Sequence, residues 1–231
     1  MQIFYTPDID IKQELTEEES GHCVRVLRLK EGDEILLTDG KGFFYKATIT
    51  NAHPKHCEFE IIETIKQEAL WPFYLHIAVA PTKNMDRMEW FAEKATEIGI
   101  DAITCLNCRF SERKEVKTAR LEKILVSAMK QSQKATLPVL TGMTDFKKFV
   151  QQPFDGRKFI AHCEEGEKLL LKDTYKPGEN ALVLIGPEGD FSPEEIKLAI
   201  ENGFEPISLG KSRLRTETAA LVACHTLQVL N

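Results

Sequence analysis

Two loops near the C-terminus carry the residue types and spacing that could hold a ligand. The first lies in LVLIGPEGDF, residues 182–191, where an apolar run stops at Gly186, Pro187, Glu188 and Gly189. Two glycines beside a proline let the backbone turn tightly and present its N–H and C=O groups. The second lies in ISLGKSRLRTETAA, residues 207–220, where a short apolar run meets Gly210 and a basic stretch with Lys211, Arg213 and Arg215. A loop at the carboxyl end of a parallel strand is where open α/β sheets bind ligands. The alternatives are an ordinary structural turn and a solvated basic loop before a core helix. The chain has no GxGxxG, GxxxxGK[ST] or GxSxG pattern, so dinucleotide, P-loop and hydrolase-elbow sites are unsupported. What remains is a ligand held mainly by backbone from two loops. An adenosyl group suits this, because adenine edges need N–H and C=O partners and an apolar slot.

The elements that position these loops follow from periodicity. Ala181 to Ile185 reads as a buried parallel strand, and Ser192, Pro193 and Glu195 begin a helix as N-cap, first residue and capping-box partner. Ile207 to Leu209 reads as a strand, with Thr216 as N-cap of a last helix, Glu217 to Leu230, that is apolar nearly all round. Upstream, Tyr74 to Ala80, Ala102 to Cys108 and Lys158 to Cys163 read as strands. Helices are expected from Asn84 to a stop at Gly99 and from Val116 to Gln133. This alternation predicts an α/β fold with a mostly parallel sheet covered on both faces, over residues 73–231.

Residues 1–70 read differently. A capping box at Thr16 and Glu19 starts one short helix to Val24, and Val24 to Leu29 alternates like a strand. Glu34 to Thr38 and Phe43 to Thr50 flank a turn at Asp39, Gly40 and Gly42, and Cys57 to Ile65 adds another strand. The pattern predicts a small β-barrel joined through Glu68 to Pro72.

The chain has 231 residues, 42% hydrophobic and 29% charged, an ordinary globular composition. No run is long enough to span a bilayer, and the N-terminus lacks the pattern of a signal peptide. Six scattered cysteines fit reduced thiols in a cytoplasmic protein. Cys105 and Cys108 form one CxxC without a second pair, which reads as a strand end rather than a metal site. The net charge is −6, yet residues 109–134 hold eight Lys/Arg against three Asp/Glu. That local excess is either a solvated helix face or a surface for RNA contact.

Taken together, GPEGDFSPEE followed by LGKSRLRTETAA resembles the signature of the SPOUT, or α/β-knot, RNA methyltransferases, most closely the 16S ribosomal RNA (uracil-N3) methyltransferases. HCVRVLRLKEGD, residues 22–33, is similar to a motif of their PUA-like RNA-binding domain. KATEIG, residues 94–99, and Ser111 to Arg113 also match. The resemblance implies S-adenosylmethionine seated in a C-terminal trefoil knot. Its binding residues carry over as Ile185, Gly186, Pro187, Glu188 and Gly189, then Leu209, Gly210, Ser212, Leu214, Arg215 and Thr216, with Cys163 as a further candidate and no metal. It implies 16S ribosomal RNA of the small subunit as substrate, Arg25, Arg28, Arg113 and Lys134 as RNA contacts, and a homodimer. Lys134 stands where relatives carry arginine, and Gln2 where arginine is common.

Methylating uridine at N3 requires that nitrogen deprotonated. Arg215 could stabilise negative charge on a uracil oxygen, and either Glu217 or Glu188 could take the proton or only favour the sulfonium charge. Methylation of another RNA position, and a non-catalytic RNA-binding role, are the competing readings.

Overall fold

The computed structural model describes residues 2–231. They form two compact units: one runs to Ala69 and also includes Val126–Leu137, and the other comprises Leu70–Leu125 and Pro138–Asn231.

The first unit holds β1 (Ile3–Tyr5), α1 (Glu17–Gly21), β2 (Glu34–Thr38), β3 (Phe43–Asn51) and β4 (Glu58–Lys66). The strands form one sheet in that order, with β1 parallel to β2 and the other pairs antiparallel. Phe4, Ile35, Leu37, Ala47 and Ile49 fill its core. The strand expected over Val24–Leu29 is absent. Helix α1 instead continues as a π-helical turn, His22–Val26. Thr16 had already started a helix by accepting the Glu19 N–H. The capping box is incomplete, because the Glu19 carboxylate takes the Tyr5 N–H and pairs with Lys130.

The second unit is built on seven strands: β5 (Leu75–Val79), β6 (Ala102–Asn107), β7 (Val139–Asp145), β8 (Arg157–Ala161), β9 (Leu169–Leu170), β10 (Ala181–Ile185) and β11 (Glu205–Ser208). Their order is β7-β6-β5-β10-β8-β11-β9, and every pairing is parallel. Between and after them run α2 (Met85–Ile98), α3 (Thr118–Gln131), α4 (Phe146–Val150), α5 (Leu171–Thr174), α6 (Pro193–Glu201) and α7 (Thr216–Leu230). The α/β class and the parallel sheet are as expected; β7, β9, α4 and α5 add to the expected elements. β10 lies mid-sheet with all five residues buried, as a strand covered on both faces requires. Asn84 caps α2 through its side chain, and Gly99 ends it at φ 131°. From β11, α7 returns to pack on α2, β5 and β10. That return across the middle of the sheet brings the two glycine-containing loops together.

Candidate active site

The loop after β10 is held from several sides. The Ala80 N–H donates to the Ile185 carbonyl at 3.0 Å, and the Asp190 N–H to the Pro187 carbonyl at 2.9 Å. Asp190 adopts φ 65°, a left-handed conformation that Asp tolerates better than most residues. Its carboxylate explains why it stays there: Oδ1 accepts the Phe191 N–H at 2.8 Å and Oδ2 the Cys163 N–H at 2.7 Å. Beyond it, Ser192 and Glu195 form the complete capping box, with Pro193 opening α6. Gly186 packs closely, since a Cβ there would lie 3.1 Å from the ring of buried Phe191, tighter than an ordinary contact.

The loop after β11 turns on Ser208, whose hydroxyl binds both the N–H and the carbonyl of Gly210. Gly210 sits at φ 134°, which favours glycine, although nothing lies within 4 Å of where its Cβ would be. Thr216 does not cap α7. Arg215 occupies the cap position without a side-chain bond, and α7 begins at Thr216. The Thr216 hydroxyl donates instead to the Gly186 carbonyl at 3.1 Å, and both residues are buried. One hydrogen bond therefore ties the second loop to the first.

Between the loops lie two adjoining hollows of about 310 and 390 Å³ that share Ala161, Cys163, Arg213, Leu214 and Ala219. Ile185, Gly186, Pro187, Glu188, Arg215 and Thr216 line the first; Leu209, Gly210 and Ser212 line the second. Every residue expected at the cofactor thus lines this cleft except Gly189, which faces Phe110. Leu209 and Leu214 make no backbone hydrogen bond among the described residues, leaving those N–H and C=O groups for a ligand edge. Burial raises the Cys163 thiol pKa, and Asp190 adds to that.

Sequence reasoning missed Asp190, His162 and Lys168. Asp190 stood inside the quoted motif, but its role depends on φ and on a distant N–H. His162 and Lys168 carry no motif at all. Both His162 ring nitrogens are buried without a partner, and desolvation, followed by Lys168, lowers its pKa.

The carboxylates differ. Glu188 is exposed and its Oε1 accepts the Lys83 N–H at 2.9 Å. Glu217 is buried at 7% exposure; Oε1 lies 3.8 Å from the Arg87 guanidinium, and Oε2 has no hydrogen-bond partner.

The basic stretch is largely committed within the protein. Arg113 donates to the Thr82 and Lys83 carbonyls at 3.1 and 2.6 Å, so it ties loops together rather than standing free for phosphate. Arg120 pairs with Glu89, Arg109 with Glu194 and Lys130 with Glu19. Lys134 belongs to the first unit and is only 8% exposed, which places it poorly for a phosphate. Arg25 and Arg28 are exposed, and Val26 and Leu27 beside them are exposed as well. Cys105 and Cys108 are buried thiols whose pKa values burial raises. No helix among the described residues is long and apolar enough to cross a membrane.

Residues 69–228 match the family described as the RNA methyltransferase domain, and residues 15–62 the RNA methyltransferase PUA domain. A crystal structure of a "probable rRNA-methyltransferase" from Porphyromonas gingivalis is 44% identical, covers 99% of both chains and superposes with a TM-score of 0.94. A Neisseria gonorrhoeae ribosomal RNA small subunit methyltransferase E, solved with S-adenosyl methionine, is 29% identical with a TM-score of 0.87, covering 100% of this chain and 98% of the other. The protein of the same name from Synechocystis is 30% identical over 94% of this chain and 72% of its own. The chain belongs to the RNA methyltransferase family of the ribosomal RNA small subunit methyltransferase E proteins.

Proposed function

We propose that this chain methylates N3 of a uridine in 16S ribosomal RNA of the small subunit, using S-adenosylmethionine, in the cytoplasm. The observation that carries the reading is the meeting of the β10 and β11 loops in one cleft, tied by Thr216 to Gly186. The cleft suits the cofactor: apolar walls from Ile185, Leu209 and Leu214, open backbone groups, and carboxylates for a sulfonium. Relatives of this architecture have been solved with that cofactor.

The cofactor supplies an electrophilic methyl group; the chain must orient uridine and remove the N3 proton. Arg215 is exposed at the mouth of the cleft, where a guanidinium can stabilise charge on a uracil oxygen. Glu217 lines neither hollow, yet it is the carboxylate we assign as base. Its buried Oε2 is unpartnered, whereas Glu188 already accepts the Lys83 N–H. Residues 1–70 act as the PUA-like RNA-binding domain, with Arg25 and Arg28 as phosphate contacts, and residues 73–231 as the catalytic domain. A second copy covers the α7 face that carries Leu221, Val222 and the 68%-exposed Val229, making a homodimer.

The test uses small ribosomal subunits lacking the modification, methyl-labelled cofactor and nucleoside analysis. Labelled 3-methyluridine is expected. Glu217→Gln should slow transfer by about 100-fold or more while cofactor affinity stays within about threefold. Label on another nucleoside, or none, defeats the reading.

A further inference from the structure

The loop between β6 and α3 places an aromatic ring beside the proposed cofactor loop. Phe110 is 47% exposed. It abuts Gly189, since a Cβ on Gly189 would lie 3.2 Å from Phe110 Cβ. The Arg109 guanidinium lies 5.6 Å from the ring centroid and bonds Glu194 at 3.0 Å. It covers one face of the ring. Arg109 also lines a cleft of about 490 Å³ that shares no residue with the cofactor hollows.

The chemistry of this second cleft is specific. It contains three cations, Arg109, Lys114 and Lys147, and three carboxylates, Asp145, Glu194 and Glu195. Two carboxylates have structural duties: Glu195 accepts the Ser192 and Arg109 N–H groups, and Asp145 caps α4 through the Lys148 N–H. Lys114 reaches the Asn107 side chain and the Cys108 carbonyl. Balanced charge gives little net attraction for a phosphate. Interleaved donors and acceptors beside an exposed aromatic ring suit a neutral, planar group with polar edges. Bases of single-stranded RNA are read in that way, by stacking on aromatic or guanidinium planes and by hydrogen bonds to their edges.

We propose that Phe110 and this cleft receive a nucleobase neighbouring the target uridine, stacked on Phe110 with its edge toward Asn107 and Lys114. The inference rests on the chain acting as an RNA methyltransferase. It assigns Phe110 a positioning role: holding the neighbouring base presents the target to the cofactor loop, which Phe110 meets at Gly189.

The experiment measures methyl transfer to small ribosomal subunits by wild type, Phe110→Ala, Phe110→Leu, Phe110→Tyr and Phe110→Trp at several salt concentrations. An exposed ring can be truncated without opening the core, and circular dichroism checks folding. Phe110→Ala should lower kcat/KM for subunits roughly tenfold, which is about 1.4 kcal/mol and within the range for one stacked base. Tyr and Trp should keep it within about threefold, and Leu should not. KM for S-adenosylmethionine should not move, and the slope of log kcat/KM against log salt should stay parallel to wild type, because no phosphate contact is lost. The proposal is overturned if Phe110→Ala matches wild type, or if Leu rescues as well as Tyr. It is also overturned if Lys147→Ala flattens the salt slope while Phe110→Ala is silent, which would make the cleft a phosphate site. Wild type that labels no RNA would sink the methyltransferase reading itself; active wild type with an indifferent Phe110→Ala would sink this inference alone.

Discussion

Thr216→Val tests whether one hydrogen bond assembles the cofactor cleft. Valine keeps the shape of threonine and removes only the hydroxyl that donates to the Gly186 carbonyl at 3.1 Å. Thr216 is 6% exposed and Gly186 is buried, so water cannot easily replace the lost donor. A buried carbonyl left unpaired costs about 1–3 kcal/mol. At about 2–4 °C per kcal/mol for a protein of this size, a central cost of about 2 kcal/mol lowers Tm by about 4–8 °C. The Gly186 loop has little freedom to compensate, being pressed on Phe191 and pinned by Asp190. The cost should therefore surface as loop separation and appear in ligand affinity, weakening S-adenosylhomocysteine binding by about tenfold, or about 1.4 kcal/mol. Calorimetry gives the affinity, and thermal melts with and without ligand give both quantities. Thr216→Ser, which keeps the donor, should bind within about threefold of wild type. If Thr216→Val binds as tightly as wild type and melts at the same temperature, the tie is incidental and the preorganisation argument fails.

His76 provides a pH test. Burial lowers its pKa to about 4, with Nε2 against the Thr104 hydroxyl at 2.8 Å and Phe149 edge-on to its ring. A folded pKa below the unfolded value of about 6.5 means the unfolded chain binds the extra proton. Stability is then full above about pH 6.5 and falls as pH drops toward 4, by about 2 kcal/mol between pH 7 and 5. Urea titrations should show this loss, and His76→Gln should flatten it; an equal slope in the variant would locate the acid sensitivity elsewhere. The proposed homodimer should scatter light at about 52 kDa, twice the 26.2 kDa chain mass, at micromolar concentration. A mass near 26 kDa would mean that the α7 face stays uncovered.

The parts of the fold that could be read ahead are those set by local chemistry. The Ser192–Glu195 capping box, the Asn84 cap and the Gly99 stop each depend on residues a few positions apart, and each stands where expected. So do the turns that end β10 and β11. What could not be read depends on distant partners. β1 is three residues long and exists because β2 offers it a parallel edge. Val24 to Leu29 alternates as a strand would, yet it has no neighbouring strand, so the helix started at Thr16 runs on to Val26 and the chain then turns at Arg28, φ 58°. Thr216 is an acceptable N-cap by type, but its hydroxyl finds a buried carbonyl thirty residues away.

Charge shows the same limit with more consequence for function. Counting residues 109–134 gives a strong positive excess. In the structure Arg113 serves two carbonyls, Arg109, Arg120 and Lys130 meet carboxylates, and Lys134 is buried. A cation already engaged releases fewer counterions when RNA arrives, so it adds little to salt-dependent affinity. Arg25 and Arg28 sit beside exposed Val26 and Leu27, and no ion pair engages either arginine among the described residues. On the function proposed above, the electrostatic grip on RNA would belong with Arg25 and Arg28 of the PUA-like unit. The segment between β6 and α3 is left to hold loops in place and to offer a ring, Phe110, where the chemistry is expected.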